Sequence, residues 1–418
     1  MRVLHVTNYF RDTHRHVGGA EQACYRTAIL SKERGWSVSV VTTRPNVSNG
    51  SELEARSLPI AEDYLPARVR PYMEAAKWYA LQYDPFAYHA FRKLLRHDAA
   101  DVVHFHNCQF LTLSLLAAAK KFHRKTVVSI YDYWLFCPTV MLSAPDKSFC
   151  SRAHGSWCLD CLPPTFRTFQ RLLLAGRRRV IDRYLDMVDA FHVLSEHSGT
   201  VLEGYGIPRD RIHVVPLTLP LEYRKHLTMN QSRDPNLILF AGWLNERKGL
   251  HRLLEAMPYV VEQCPSSRLV AIGGSVRFGE DYEKRIHETI DKSQLEDRVT
   301  FTGHLHASEV KEYLERASVV VIPEQYENMS PLLMIEAMSM AKPVVISRVG
   351  GVPEYVRHRT NGWMADPLDS LDFARNIVNV LTDPSEAETA GLKARETILA
   401  KCNDDTIWER TRSMYESL

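Results

Sequence analysis

Short apolar runs alternate with stretches of helical spacing along most of this chain. Val3–Thr7 is short and apolar, Glu21–Arg34 repeats its apolar positions at helical intervals and stops at Gly35, and Ser37–Thr42 is a second short run. That order predicts a strand–helix–strand unit. Further short runs at Val102–Phe105, Thr126–Ile130, Ala190–Leu194 and Ile212–Val215 each adjoin a helix-patterned stretch, so the first half predicts a parallel sheet covered on both faces. Between Arg44 and Pro85 the rhythm is lost, and irregular insertions over one end of the sheet are expected.

After Pro216, residues 217–236 are polar or mixed and carry Pro220 and Pro235, which marks a hinge. The alternation then resumes. Strands are predicted at Leu237–Ala241, Leu269–Ile272, Val299–Thr302, Val319–Ile322 and Val344–Ile346, with helices at Leu250–Glu262, Asp281–Lys292, Ser308–Arg316, Leu332–Met340 and Ser370–Leu381. The expected architecture is α/β: two Rossmann-like parallel-sheet domains, residues 1–216 and 237–400, facing each other across a cleft. Residues 401–418 are expected to form a helix that packs back on the first domain.

Length agrees with two cores, since 418 residues exceed what one compact core holds. The net charge of +2 conceals an asymmetry: residues 1–215 carry 28 basic and 20 acidic side chains, or +8, and the remainder 24 and 30, or −6. Basic residues cluster as Arg92, Lys93 and Arg96, as Lys120, Lys121, Arg124 and Lys125, and as Arg171, Arg177, Arg178, Arg179 and Arg183. Such clusters dock on anionic lipid headgroups or form solvated helix faces, and no nucleic-acid partner is expected. Arg11 interrupts the N-terminal apolar stretch early, and no run approaches the ~20 apolar residues of a membrane span. A cytoplasmic location is expected, at most peripheral on the inner face of the plasma membrane.

In open parallel sheets, ligands sit beyond the carboxyl ends of the strands. The first such loop in the second half is Gly242-Trp243-Leu244-Asn245-Glu246-Arg247-Lys248-Gly249, a glycine-containing loop with a lysine ahead of a helix, which suits a diphosphate. Val319–Ile322 leads into Glu327 and then, on the next helix, Glu336, two carboxylates able to hold sugar and ribose hydroxyls. Gly350-Gly351 follows another strand and permits close backbone approach. In the first half, Gly18-Gly19 precedes a helix without the G-x-G-x-x-G spacing of a dinucleotide fingerprint, which argues against an NAD-dependent dehydrogenase. His104 and His106 alternate on one strand and share a face, and Asp132 follows the next strand.

The succession Gly242…Lys248-Gly249, Phe301-Thr302-Gly303, Glu327…Glu336-Ala337-Met338, Pro343-Val344-Val345 and Gly350-Gly351-Val352-Pro353-Glu354…Asn361-Gly362 resembles the retaining GT-B-fold glycosyltransferases of family 4. The resemblance implies a nucleotide-sugar donor, UDP before GDP, and a glycan or lipid-linked acceptor, with a leaving step that needs no metal. It implies that Lys248 holds the diphosphate, that Glu336 binds the ribose, that Glu327 binds the transferred sugar, and that the amides of Asn328, Met329 and Ser330 cradle phosphate. Gly18, Gly19, Gly242 and Gly303 would lie at the donor, His106, with His104 in reserve, would face the transferred sugar, and Asp132 would orient the acceptor. His106, Glu327 and Lys248 form the implied catalytic set.

Two departures stand out. Trp243 occupies the place of the family's usual arginine, leaving Arg247 as the available second cation, and eight residues rather than seven separate Glu327 from Glu336. Those departures, with Tyr131 in place of a histidine before Asp132, keep a non-catalytic binding subunit in view, and the shared architecture keeps a nucleotide-sugar 2-epimerase. Cys137, Cys150, Cys158 and Cys161 crowd into one loop, with the C-x-x-C spacing of a zinc knuckle. Structural zinc, reduced thiols or disulfides, and an iron–sulfur cluster all fit that pattern.

Overall fold

The computed structural model describes residues 1–11, 13–14, 18–45, 52–146, 148–152, 155–162, 167–219, 223, 233–274 and 280–418. The chain groups into two compact units, Met1–Thr218 with Asp404–Leu418, and Leu219–Asn403. Most of the predicted hinge lies outside the described residues.

The first unit holds a seven-stranded parallel sheet of β1 (Arg2–Val6), β2 (Ser37–Thr42), β3 (Glu54–Ser57), β4 (Val102–Phe105), β5 (Lys125–Ser129), β6 (Ala190–Val193) and β7 (Ile212–Val214). Their order is β3-β2-β1-β4-β5-β6-β7, so the winding reverses between β1 and β4 and the loops leaving those two strands diverge. All four residues of β4 and of β6 are buried, as strands covered on both faces must be. The helix Gly19–Glu33 opens where the Glu21 carboxylate accepts the Gly18 amide at 2.8 Å. It closes at Gly35, whose φ of 85° is a left-handed turn that glycine makes without strain.

The stretch expected to be irregular contains β3 and a helix, Arg70–Tyr79. β3 is a four-residue edge strand of sequence EARS, too short and too polar to show alternation. The helix Asp404–Glu416 belongs to the first unit: Met414 and Tyr415 pack on Val3, Val102, Val127 and Ala190, and Trp408 meets Trp36 edge-on at 4.6 Å. Burying each such large side chain contributes about 1.5–3 kcal/mol.

The second unit has six parallel strands: β8 (Leu237–Ala241), β9 (Arg268–Ile272), β10 (Val299–Gly303), β11 (Val319–Ile322), β12 (Val344–Ser347) and β13 (Trp363–Ala365). In the order β10-β9-β8-β11-β12-β13 the winding reverses between β8 and β11. The helix Leu250–Gln263 buries Leu250, Leu253, Leu254, Met257 and Val260, an apolar stripe at helical spacing, against Phe373, Ile377 and Val380 of the helix Ser370–Thr382. β13 leaves no signal in the pattern because three residues cannot display a two-residue period, although fully buried Trp363 anchors it in the core.

Candidate functional site

In the second unit, three loops at the carboxyl ends of β8, β11 and β12 are laced together. Asn245 accepts the Lys248 amide through its side chain at 3.1 Å and starts a 3-10 turn, Glu246–Lys248, that ends on Gly249 at a φ of 72°. A Cβ on Gly249 would fall 1.8 Å from the Pro323 carbonyl oxygen, so only glycine lets these two loops touch. The Gln325 amide donates to the Arg247 carbonyl at 2.8 Å across the same seam. The Gly351 amide then donates to the Asn328 carbonyl at 2.9 Å, and the Gly350 amide to Glu327 Oε2 at 2.9 Å. Gly242 and Gly303 join this framework through Gly273, whose amide donates to the Gly303 carbonyl at 2.9 Å. A Cβ on Gly273 would lie 1.9 Å from the Gly242 oxygen.

Lys248 Nζ is paired with a Glu324 carboxylate oxygen, and the other Glu324 oxygen accepts from Asn328 Nδ2. Asn328 also donates to the Tyr326 hydroxyl at 2.9 Å and accepts the Ser330 amide at 3.1 Å. Two cations flank the Tyr326 ring, Lys248 Nζ at 5.6 Å and Arg247 Cζ at 5.7 Å from its centroid. Burial alone would lower the Lys248 pKa, but the Glu324 carboxylate and Tyr326 outweigh it and leave the ammonium held above its ordinary value. The lysine is therefore a fixed positive charge. Its side chain keeps 27% of its surface exposed while that of Glu324 keeps 3%, so the carboxylate faces inward and the cation outward.

Asn328, Met329 and Ser330 are buried, and the Ser330 hydroxyl has no hydrogen-bond partner among the described residues. They lead into the helix Leu332–Ser339, which carries a partly exposed Glu336 in its second turn. Glu327 accepts the Gly350 amide, and the Trp243 ring centroid lies 6.2 Å from that of His304. Glu324, Gln325 and Tyr326 were not singled out from sequence. Their signal was position, since Glu324 is the first charge beyond the buried strand β11.

The equivalent place in the first unit is built from imidazoles. His5 on β1 stands opposite His104 on β4 in the parallel register, and His106 follows one alternation later. His106 Nε2 lies 2.8 Å from His5 Nδ1 and His106 Nδ1 lies 2.8 Å from the Tyr131 hydroxyl, so both of its ring nitrogens are engaged by protein. A second chain links Tyr415 to His104 at 2.5 Å, His104 to Ser129 at 2.7 Å, Ser129 to His192 at 2.6 Å and His192 to the Val215 carbonyl at 2.8 Å.

Ring nitrogens of His5, His104 and His106 lie within 4.8 Å of one another. A cation there would have to displace hydrogen bonds that already use both nitrogens of His104 and His106. Burial lowers all four histidines, His5 to about 3 and His192 to about 4, and the cluster is neutral at ordinary pH.

His106, Asn107, Tyr131 and Asp132 border a solvent-open pocket with Ala20 and Trp134. Asp132 caps the turn that forms this wall by accepting the Trp134 amide at 2.9 Å. Gly18 is tied to Glu21, which also accepts from Asn107 at 3.1 Å, and Gly19 is exposed beside it. Two members of the predicted basic clusters are engaged within the fold: Arg177 is wholly buried, donating to the Leu135 carbonyl at 3.3 Å, and the half-buried Lys120 pairs with Asp189 at 2.5 Å. Among the described residues no helix is long and apolar enough to cross a membrane. Cys137, Cys150, Cys158 and Cys161 border one small cavity, and none is in a disulfide.

Residues 17–223 match the family model described as Glycosyltransferase Family 4, and residues 225–397 the model described as Glycosyl transferases group 1. Two curated relatives are the amylovoran biosynthesis glycosyltransferase AmsK of Erwinia amylovora and the putative colanic acid biosynthesis glycosyltransferase WcaL of Escherichia coli K12. AmsK is 26% identical over 51% of this chain and 52% of its own, and WcaL 28% identical over 52% and 54%. The chain spans about half the length of these relatives. Among solved structures, Anabaena Alr3699/HepE in complex with UDP-glucose superposes over 100% of both chains with a TM-score of 0.72 at 17% identity, a likeness of fold.

Proposed function

We propose, since this chain belongs to the GT-B-fold glycosyltransferases of the group 1 and family 4 type, that it transfers a sugar from a UDP-sugar to a glycan acceptor with retention of anomeric configuration. The observation that carries this reading is the pair of cations on Tyr326, with Lys248 locked outward by Glu324 at the carboxyl ends of β8 and β11. Breaking the donor's glycosidic bond leaves negative charge on the diphosphate and an oxocarbenium-like sugar. A fixed ammonium stabilises that diphosphate as it departs, while the Ser330 amide, which the resemblance offers to the phosphate, would have to leave the Asn328 side chain to take part, and the Asn328 amide the Tyr326 carbonyl.

Arg247 supplies the second cation that Trp243 does not. Glu336 takes the ribose hydroxyls, Glu327 takes the sugar, and the leaving step needs no metal, in keeping with the lack of an Asp-x-Asp pair in the sequence. The pocket beside Asp132 receives the acceptor, and the amylovoran and colanic acid relatives favour a growing cell-envelope polysaccharide. UDP as the nucleotide is favoured by the UDP-glucose complex of the Anabaena protein.

Thermal-shift titration with UDP, GDP, ADP and TDP tests the donor site. A ligand at 100 times its Kd stabilises by about 2.7 kcal/mol, so UDP should give the largest shift and Lys248→Ala should abolish it. An unchanged shift in Lys248→Ala removes the phosphate role. A product anomer opposite to the donor's excludes retention.

A further inference from the structure

We propose that Cys137, Cys150, Cys158 and Cys161 bind one structural zinc ion, which pins the wall of the pocket lined by Asp132, Trp134 and Leu135. The four thiols come from two short arms that border one cavity; no three of their sulfurs yet lie within 4.8 Å of one another, so a bound ion would draw the two arms together. In the first arm, Cys137 and Cys150 flank a narrow hairpin closed by the Ser143–Phe149 bridge and by the Cys150 amide donating to the Leu142 carbonyl at 2.8 Å. In the second, Cys158 and Cys161 share the 3-10 turn Ser156–Cys161, and the Gly155 amide donates to Cys158 Sγ at 3.4 Å. An amide aimed at the first sulfur of a C-x-x-C turn is the outer contact that a metal-bound sulfur accepts.

Two further observations favour an ion over four independent thiols. Val140 and Leu142 adopt left-handed backbone, at φ 67° and 49°, in the hairpin between the first two cysteines. A β-branched and a γ-branched residue hold that conformation only where the surroundings over-determine it, and a thiolate-bound cation supplies such a constraint. The buried Arg177 lies within electrostatic range of Cys137 and Cys158 and donates to the Leu135 carbonyl, where its charge offsets part of the excess negative charge of a four-thiolate zinc centre. Trp134, Leu135 and Phe136 run directly from the pocket into Cys137, so the ion's position sets theirs. Binding expels four thiol protons to solvent, with no change of oxidation state.

The test is metal analysis of the full chain, purified without a metal-affinity step from cells grown with zinc. One zinc per chain is expected, released by a mercurial in step with the titration of four thiols. Cobalt(II) in its place should show thiolate charge-transfer bands and the strong visible bands of a tetrahedral site. Cys158→Ser and Cys161→Ser should lose the metal, while Cys264→Ser, in the other unit, should keep it. Should the serine variants fail to fold, the unaltered protein still decides: no metal with four reactive thiols, a disulfide among these cysteines, or an iron–sulfur chromophore each overturns the proposal. Metal content is read without donor or acceptor, so this result stands apart from that of the nucleotide titration.

Discussion

The two sheets reverse their winding at the same topological place, yet one reversal is filled with charge and the other with neutral imidazole. Beyond β8 and β11, Lys248 and Arg247 share the Tyr326 ring and Glu324 holds the lysine protonated. Beyond β1 and β4, His5, His104 and His106 are buried together and lowered until they carry no charge. The contrast teaches that the fold fixes where ligand-facing side chains emerge and leaves their electrostatics to the residues, which is why function has to be argued from the site. It also assigns labour: a fixed cation suits a phosphate that must be held, and a locked neutral network suits a rigid wall.

The largest effect should come from breaking the charged side. Lys248→Ala is expected to lower kcat/KM for donor consumption by about 10²–10³-fold, as loss of one transition-state donor does. It also strands buried Glu324, so Lys248→Ala/Glu324→Gln should recover melting temperature without recovering activity. An equal loss of nucleotide binding in His106→Phe would erase the distinction between the two regions.

Next in size is the acid response of the neutral side. His5 and His192, held near 3 and 4 in the fold, regain a pKa of about 6.5 when unfolded. The unfolded chain then binds more protons between about pH 6.5 and pH 4, so stability must fall as pH falls through that window and be fully present above it. Each imidazole adds a slope of up to about 1.4 kcal/mol per pH unit. Urea unfolding across that window should show it, and His5→Gln should flatten it.

Smaller effects sharpen the picture. Gly350→Ala forces a Cβ to within 2.0 Å of the Asn328 oxygen at a φ of 51° and should cost about 1–3 kcal/mol while weakening UDP binding, read by calorimetry. Tyr131→Phe deletes the hydroxyl on His106 and should cost about 1 kcal/mol in urea unfolding, leaving UDP affinity unchanged.

What sequence reveals follows from range. Buried parallel strands are continuous apolar runs, so β4, β8 and β11 announce themselves, and Lys248 and Gly242 are legible as the punctuation after a strand. β3 and β13 are short edge strands and leave no period. The Lys248–Glu324 pair joins residues 76 apart and His5–His106 residues 101 apart, and both depend on strand register that no local pattern encodes. Arg177 read as surface charge because its helix is rich in arginine, and only packing shows that one of them points inward.

The return of Asp404–Glu416 to the first unit has a consequence for the order of folding. Tyr415 supplies both a packing surface under β1 and a hydrogen bond to His104, so the unit whose first strand emerges earliest from the ribosome is the one completed last. At about 5–20 residues per second, its β-sheet waits on the order of 10–40 s with that face uncovered. A nascent chain stalled when Asn403 has left the exit tunnel and Asp404 has not should therefore carry a finished second unit and a first unit still open to chaperones.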